Sequence, residues 1–367
     1  MAQRPPRLRW RSAAKPLNEI KVPIVGSRQV VSTVVRKDEF NAPVDFAHLS
    51  ASHGVRALRI LVTGGAGFIG SNLARKLIEI NHDVIVLDDF SSGLRSNVAD
   101  LREVKIVEGS VCDPNTVQQV ARGVEAIVHL AARGSVPRSI ADPVATHNAN
   151  TTGTLNVLEA ARTQDCYVVM ASSSSVFGAN ALQPKIERTW THPLSPYAAS
   201  KLAGEGYVLS YKASFGFPAL ILRFFNVFGP WQRPDHAYAA VIPRWISRVM
   251  RNEPVEIHGD GKQTRDFTYV DTVVDALIQS VESQVSPDGP INVAFGQPYN
   301  LLEVLHQIED LLGRQADCVF TDPRRGDVRD SLNNPDVFRQ VFPTVEPVEF
   351  RQALARTVAW LQSSSHR

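Results

Sequence analysis

From Leu58 onward, short runs of β-branched and aliphatic residues alternate with longer stretches whose apolar positions recur at helical spacing. Arg59–Thr63 is the kind of run that fills a strand buried on both faces. Within Ile69–Ile80, the side chains of Leu73, Leu77 and Ile80 fall on one face, which predicts an amphipathic helix. Asp83–Leu87, Val104–Val107, Ala126–Leu130, Tyr167–Met170 and Leu220–Arg223 repeat the strand pattern, with helical stretches such as Asn148–Arg162 between them. Strands separated by helices pair in parallel through right-handed crossovers, so the expected fold class is α/β, a doubly wound parallel sheet. Past about Gly229 prolines become frequent and the rhythm loosens, with helices predicted over Ile242–Met250, Val270–Val281 and Leu301–Leu312. The expected organisation is a sheet domain over 58–230, to which parts of 260–300 return. A smaller C-terminal region over 231–367 would pack at the sheet's carboxyl edge, where ligands of such sheets bind.

Residues 1–57 break this pattern. Arg4, Arg7, Arg9, Arg11 and Lys15 are interleaved with prolines, and no apolar run follows that would make a secretory signal. The segment reads as a poorly ordered extension or the product of an upstream start, with a transit peptide or a polyanion-binding arm as alternatives. Ile20–Val35 is apolar enough to add a strand. Of the 367 residues, 44% are hydrophobic and 21% charged, the balance of a soluble globular protein. A net charge of +2 gives no reason to expect a nucleic-acid or membrane partner. Cys112, Cys166 and Cys318 lie far apart, so no metal site is expected, and so sparse a set suits a reducing compartment. No apolar run reaches the roughly 18 residues that span a bilayer, and the expected location is the cytoplasm.

The first chemical signal is Thr63-Gly-Gly-Ala-Gly-Phe-Ile-Gly70, between a predicted strand and a predicted helix. Gly65, Gly67 and Gly70 satisfy one dinucleotide spacing, and Gly64, Gly67 and Gly70 another. Either register serves the same need: one glycine for the tight turn, one for pyrophosphate approach, one for helix–strand packing. The helix N-terminus then offers free N–H groups to the phosphates. The second strand ends at Asp88, the place for an acid that meets the adenosine ribose hydroxyls. A carboxylate there repels a 2′-phosphate, so NAD is expected rather than NADP.

The second signal is Leu194-Ser-Pro-Tyr-Ala-Ala-Ser-Lys201. Ser195 suits a helix N-cap and Pro196 the first helical position, which stacks Tyr197 and Lys201 on one face. A tyrosine hydroxyl titrates near 10 and is a poor base until positive charge lowers it. Lys201 and an oxidised nicotinamide would supply that charge. Upstream, the Tyr167–Met170 strand runs into Ser172-Ser-Ser-Ser175, whose hydroxyls are placed to bind a substrate oxygen.

With these motifs the chain resembles the extended short-chain dehydrogenase/reductases, in the branch of NAD-dependent nucleotide-sugar epimerases and dehydratases. The resemblance spans about Arg59 to Leu361. It rests on the glycine turn, His-Leu-Ala-Ala at 129–132, Tyr197 with Lys201, Arg-Phe-Phe-Asn-Val-Phe-Gly-Pro at 223–230, Gly-Asp-Gly-Lys-Gln-Thr-Arg-Asp-Phe at 259–267, and Arg-Arg-Gly-Asp-Val at 324–328. It implies that Tyr197 takes the proton of the sugar C4 hydroxyl while hydride passes to NAD, and that hydride then returns to the other face. Lys201 would hold the nicotinamide ribose, and Ser173, with Ser174 as the rival assignment, would be the catalytic hydroxyl. The implied cofactor contacts are Gly64, Gly67, Phe68, Ile69, Gly70, Asp88, Ser110, Val111, Leu130, Ala131, Ala132 and Asn150, besides Tyr197 and Lys201. The implied UDP-sugar contacts are Ser174, Asn226, Arg233, Val241, Arg265, Arg324 and Asp327. The resemblance also implies a homodimer.

Within that branch, dehydratases resemble one another in carrying Asp-Glu after the catalytic hydroxyl, where this chain has Ser174 and Ser175. Elimination thus lacks its acid and base, which points to 4-epimerisation. Gly134–Ser139 and Ala237–Pro243 are similar to epimerases of UDP-glucose and UDP-N-acetylglucosamine, whereas Gln232–Asp235 resembles UDP-glucuronate 4-epimerases, with Arg233 facing the sugar carboxylate. Ile291 falls near a position whose bulk gates N-acetyl sugars in the family. The chain departs from many relatives at Ser110 (for Asp), Gly134 (for Lys) and Phe177 (for Tyr).

Overall fold

Seven parallel strands form the central sheet, and their order places the expected ligand crevice. The structure, a computed structural model, describes residues 56–235, 240–322 and 329–364. Strands β1 (Arg59–Thr63), β2 (Asp83–Asp88), β3 (Lys105–Glu108), β4 (Ala126–His129), β5 (Tyr167–Ser173) and β6 (Ala219–Phe224) are joined by a seventh, Ile291–Val293. Across the sheet they run Ile291–Val293, β6, β5, β4, β1, β2, β3. The chain thus leaves β1 toward β2 and β3, then crosses back to β4 on the other side, and this reversal opens a crevice at the carboxyl ends of β1 and β4. The register is continuous across this point, with Thr63 opposite both Leu87 and His129. Central positions are aliphatic on both faces because helices cover both: Ile60, Leu61, Val62, Val86, Ile127, Val128 and Val169 are fully buried.

The helices follow the sequence rhythm. Helix α1 (Phe68–Glu79) begins within the glycine turn. Helix α2 (Pro114–Val120) is capped by Asp113, whose side chain accepts from the Asn115 N–H. Two short helices, α3 (Val136–Ala141) and α4 (Pro143–His147), precede α5 (Gly153–Gln164). Between α4 and α5, residues Asn148–Thr152 form a single π-helical stretch, so the expected continuous Asn148–Arg162 helix is widened at its start. Helix α6 (Pro196–Phe215) has Ser195 as N-cap accepting from the Ala198 N–H, Pro196 in its first turn, and ends at Gly216 in the left-handed conformation.

Beyond the sheet, α7 (Val241–Met250), α8 (Val270–Ser283) and α9 (Leu301–Leu312) match the predicted helices, and α9 carries a full capping box from Asn300 and Glu303. Helices α10 (Asp336–Val341) and α11 (Phe350–Ser364) are structure that the periodicity did not single out. Asp266 ties this region together: its buried carboxylate accepts from the N–H groups of Gly296 at 2.9 Å and Asn333 at 3.1 Å. Trp360 of α11 lies 5.6 Å from Trp231, and the Arg75 guanidinium sits 3.7 Å above the Trp231 ring. No helix among the described residues is long and apolar enough to cross a membrane. Residues 1–55, including the arginine-rich stretch and Ile20–Val35, lie outside the described residues, as does the whole 324–328 motif with Arg324 and Asp327.

Candidate active site

The sheet's carboxyl edge carries a cleft of about 730 Å³ whose floor is the glycine turn. Gly64 has φ +71°, and a Cβ there would meet the Ala131 N at 2.7 Å; a Cβ on Gly70 would meet the Gly64 carbonyl oxygen at 2.3 Å. The turn is therefore packed against the backbone after β4 at Gly64 and against its own backbone at Gly70. At Gly67, which lines the cleft, the nearest protein atom to such a Cβ is the Gly64 oxygen at 3.1 Å. No side chain caps the first turn of α1, and no acid lies in that turn, so its N–H groups face the cleft with favourable polarity for an anion. Such a cradle fits a pyrophosphate.

Asp88 ends β2 beside this turn and lines the cleft. Its carboxylate accepts from the Ala66 N–H at 2.9 Å and the Phe90 N–H at 2.8 Å. Burial raises the Asp88 carboxyl above its ordinary value, and the two backbone donors oppose that rise. Asp88 thus braces the glycine turn and still presents acceptor lone pairs to a ligand. Ser110, Val111, Leu130, Ala131 and Ala132 continue the same wall. Asn150 does not line the cleft. It is buried in the π-helical stretch, where its side-chain oxygen accepts from the Arg133 N–H at 2.7 Å and its amide donates to the Ser200 hydroxyl at 2.9 Å. Asn97 and Arg133, which no motif singled out, also line the cleft. Asn97 ends a single 3-10 turn, Arg95–Asn97, too short to give a spacing signal, and its amide holds the Ala66 carbonyl at 3.0 Å.

Opposite the glycine turn, Ser173, Tyr197 and Lys201 meet in the same cleft. Ser173 ends β5 and is hydrogen-bonded to the Tyr197 hydroxyl. Lys201 is almost fully buried and donates to the Ala171 carbonyl at 2.8 Å. Burial pushes its ammonium down to about 8, with Glu205 pulling the other way. Burial likewise raises the Tyr197 hydroxyl, and the Ser173 hydrogen bond opposes the rise. Beneath them, His129 is buried at the end of β4, hydrogen-bonded to Thr63 at 2.8 Å and Thr154 at 3.0 Å. Desolvation, with Lys201 adding to it, takes His129 down to about 3, so the ring is neutral.

A second, smaller pocket of about 160 Å³ adjoins the first, and Asn226 lines both. Ser174 and Arg265 line this second pocket, so the rivals Ser173 and Ser174 face different cavities. The Asn226 amide donates to the Asp266 carbonyl at 2.9 Å with its backbone at φ +37°. Arg233 lines the larger cleft and pairs with Asp235 at 3.2 Å. Val241 is the first residue of α7, one position beyond Ala240 on the cleft rim. Ile291 is buried in the seventh strand opposite Leu222, where the sheet needs an aliphatic residue, and it lines neither cavity.

Comparison with known proteins decides the family. The family model described as the NAD dependent epimerase/dehydratase family matches residues 60–294. The chain belongs to this family, and its cofactor is NAD. Among family relatives, a UDP-glucose 4-epimerase of Mycolicibacterium smegmatis is 34% identical over 314 residues, 84% of this chain and 100% of the relative. A solved UDP-N-acetylglucosamine 4-epimerase from Methanobrevibacter ruminantium, in complex with UDP-N-acetylmuramic acid, is 35% identical. It superposes with a TM-score of 0.80 over 84% of this chain and 99% of its own. A UDP-glucuronic acid 4-epimerase from Bacillus cereus, in complex with UDP-glucuronic acid and NAD, is 27% identical, with a TM-score of 0.78 over 84% of this chain and 100% of its own. Family membership accounts for both the switch-point crevice and the glycine cradle at its floor.

Proposed function

We propose that the protein is an NAD-dependent UDP-hexose 4-epimerase, acting on the UDP-glucose/UDP-galactose pair or its N-acetyl counterparts. The observation that carries this reading is the meeting of Ser173, Tyr197 and Lys201 in one cleft with the glycine turn. Hydroxyls rather than carboxylates follow Ser173, at Ser174 and Ser175, which leaves elimination without an acid or base.

Tyr197 is the general base toward the sugar C4 hydroxyl and returns the proton in the reverse half-reaction. Burial holds its hydroxyl high and the Ser173 hydrogen bond opposes this; the positive charge of Lys201 one turn along the helix would favour the phenolate further. Ser173 orients the same sugar oxygen. The glycine turn and the first turn of α1, through Phe68 and Ile69, hold the pyrophosphate. Asp88 holds the adenosine ribose, Ser110 and Val111 the adenine, and Leu130–Ala132 the neighbouring wall, steadied by Asn150. When bound, NAD accepts and returns a hydride at one sugar carbon. Ser174, Asn226, Val241 and Arg265 receive the sugar and diphosphate; by motif, Arg324 and Asp327 serve the phosphates and uridine ribose. Arginine suits the diphosphate through its planar fork.

Relatives named for UDP-glucose and UDP-N-acetylglucosamine support the hexose reading. The Gln232–Asp235 motif favours a UDP-glucuronate 4-epimerase as the second reading. A homodimer is part of the proposal on resemblance. Incubation with UDP-glucose, UDP-N-acetylglucosamine and UDP-glucuronate, with products resolved by NMR, tests it. Epimerisation of either neutral sugar is expected, turnover of the glucuronate alone moves the assignment to the second reading, and no epimerisation sinks both.

A further inference from the structure

Below the candidate site lies a buried polar cluster that the proposed mechanism does not use. Glu205 sits one helical turn beyond Lys201 on α6, on the face that carries Tyr197 and Lys201. Its carboxylate accepts from three donors: Arg223 Nε at 2.9 Å, the other Arg223 fork nitrogen at 2.7 Å, and the Ser172 hydroxyl at 2.5 Å. Ser172 and Arg223 lie opposite each other on β5 and β6. Glu205 and Arg223 are 2% and 4% exposed, a depth at which charges persist only when paired. The carboxylate therefore binds α6, β5 and β6 at one point, between the base-bearing helix and the Ser173-bearing strand.

We propose that Glu205 is a positioning residue: it clamps the helix carrying Tyr197 to the strand carrying Ser173 and supplies the counter-charge of the Lys201 ammonium. A mere partner for Arg223 has no need of a place one turn from Lys201, nor of the Ser172 hydroxyl. On α6, Lys201 has Tyr197 one turn before it and Glu205 one turn after; on β5 it meets the Ala171 carbonyl; on β4, His129 is neutral; and Arg223 on β6 is bonded to Glu205. Glu205 is the acid among them, and its field raises Lys201 against burial.

The inference rests on the proposed function only for its activity readout. Lys201 is titrated directly by carbon-13 lysine NMR, assigned with Lys201→Arg, in wild type, Glu205→Gln, and Glu205→Gln combined with Arg223→Met. The double variant leaves no uncompensated buried arginine and guards against misfolding of the single one. Lys201 is expected to titrate below about 8 in Glu205→Gln, which removes the carboxylate alone, by a tenfold shift or more in its protonation equilibrium, and closer to wild type in the double variant, where the Arg223 charge is lost with it. The alkaline limb of kcat should move down with it while KM for the sugar holds. A Lys201 titration in Glu205→Gln equal to that of wild type overturns the proposal and leaves Glu205 as ballast for Arg223. The NMR arm needs no sugar, so a wrong substrate assignment would show separately, as absent turnover in wild type.

Discussion

The Lys201 ammonium donates to the Ala171 carbonyl at 2.8 Å, two residues before Ser173 on the same strand. The helix that carries Tyr197 is thereby pinned to the strand that carries the hydroxyl bonded to it. The i, i+4 placement of Tyr197 and Lys201 sets which groups face the cleft, and this bond sets how deep they sit.

Tyr197→Phe removes the hydroxyl without changing the packing of the ring. Turnover should fall about 10²–10⁴-fold, the usual worth of a positioned acid–base group. NAD affinity, read by fluorescence titration, should stay within a few-fold of wild type; unchanged kcat would remove Tyr197 from the chemistry.

The glycines should separate fold from cofactor binding. Gly70→Ala drives a methyl into the Gly64 carbonyl and should lower the melting temperature markedly. Gly67→Ala meets the same oxygen at 3.1 Å, a tight but milder contact, so the melting temperature should fall much less while NAD binding weakens. Equal melting temperatures for the two variants would contradict this.

Asp88 has two tasks, bracing the turn and facing the ribose. Asp88→Asn keeps one acceptor oxygen and removes the charge, so NAD binding should weaken about tenfold, the order of one charged hydrogen bond, and the preference over NADP should narrow. Parallel titrations with both cofactors give the ratio.

His129 makes an acid-stability prediction. Its folded value of about 3 lies below the ordinary 6.5, so as pH falls from 6.5 toward 3 the unfolded chain takes up a proton that the folded one refuses. Stability is lost across that window, up to about 5 kcal/mol for the full shift. Urea unfolding across it should show a shallower loss for His129→Gln than for wild type.

Lys201 acts at the other end of the scale. Its folded value of about 8 lies below 10.5, so burying the charged form costs stability at neutral pH. That cost, about 3 kcal/mol, is relieved as pH rises from 8 to 10.5. Wild type should gain on Lys201→Met over this window, and parallel denaturation curves would refute it.

Much of this architecture was legible in the chain. Aliphatic runs such as Ile60–Val62 announced strands buried on both faces, and Ser195 with Pro196 announced the start of α6. The π-helical widening at Asn148 was not, because its cause is tertiary: Asn150 is drawn toward Arg133 and Ser200, far away in sequence. Arg233 and Ile291 showed the same limit. A motif names residue types, but whether Arg233 meets Asp235 or a sugar, and whether Ile291 meets a pocket or a sheet, depends on packing across the chain. Glu205 escaped for a further reason, since a lone acid on a helix reads as a solvated charge until Arg223 and Ser172 are seen around it.

Trp231 lies on the cleft rim with Arg75 above its ring and Trp360 against it. The protein thus carries an optical gauge to be tried: an indole at the mouth of the cofactor cleft, whose emission should change as the cleft fills, a response that replacing Trp231 with Phe would remove.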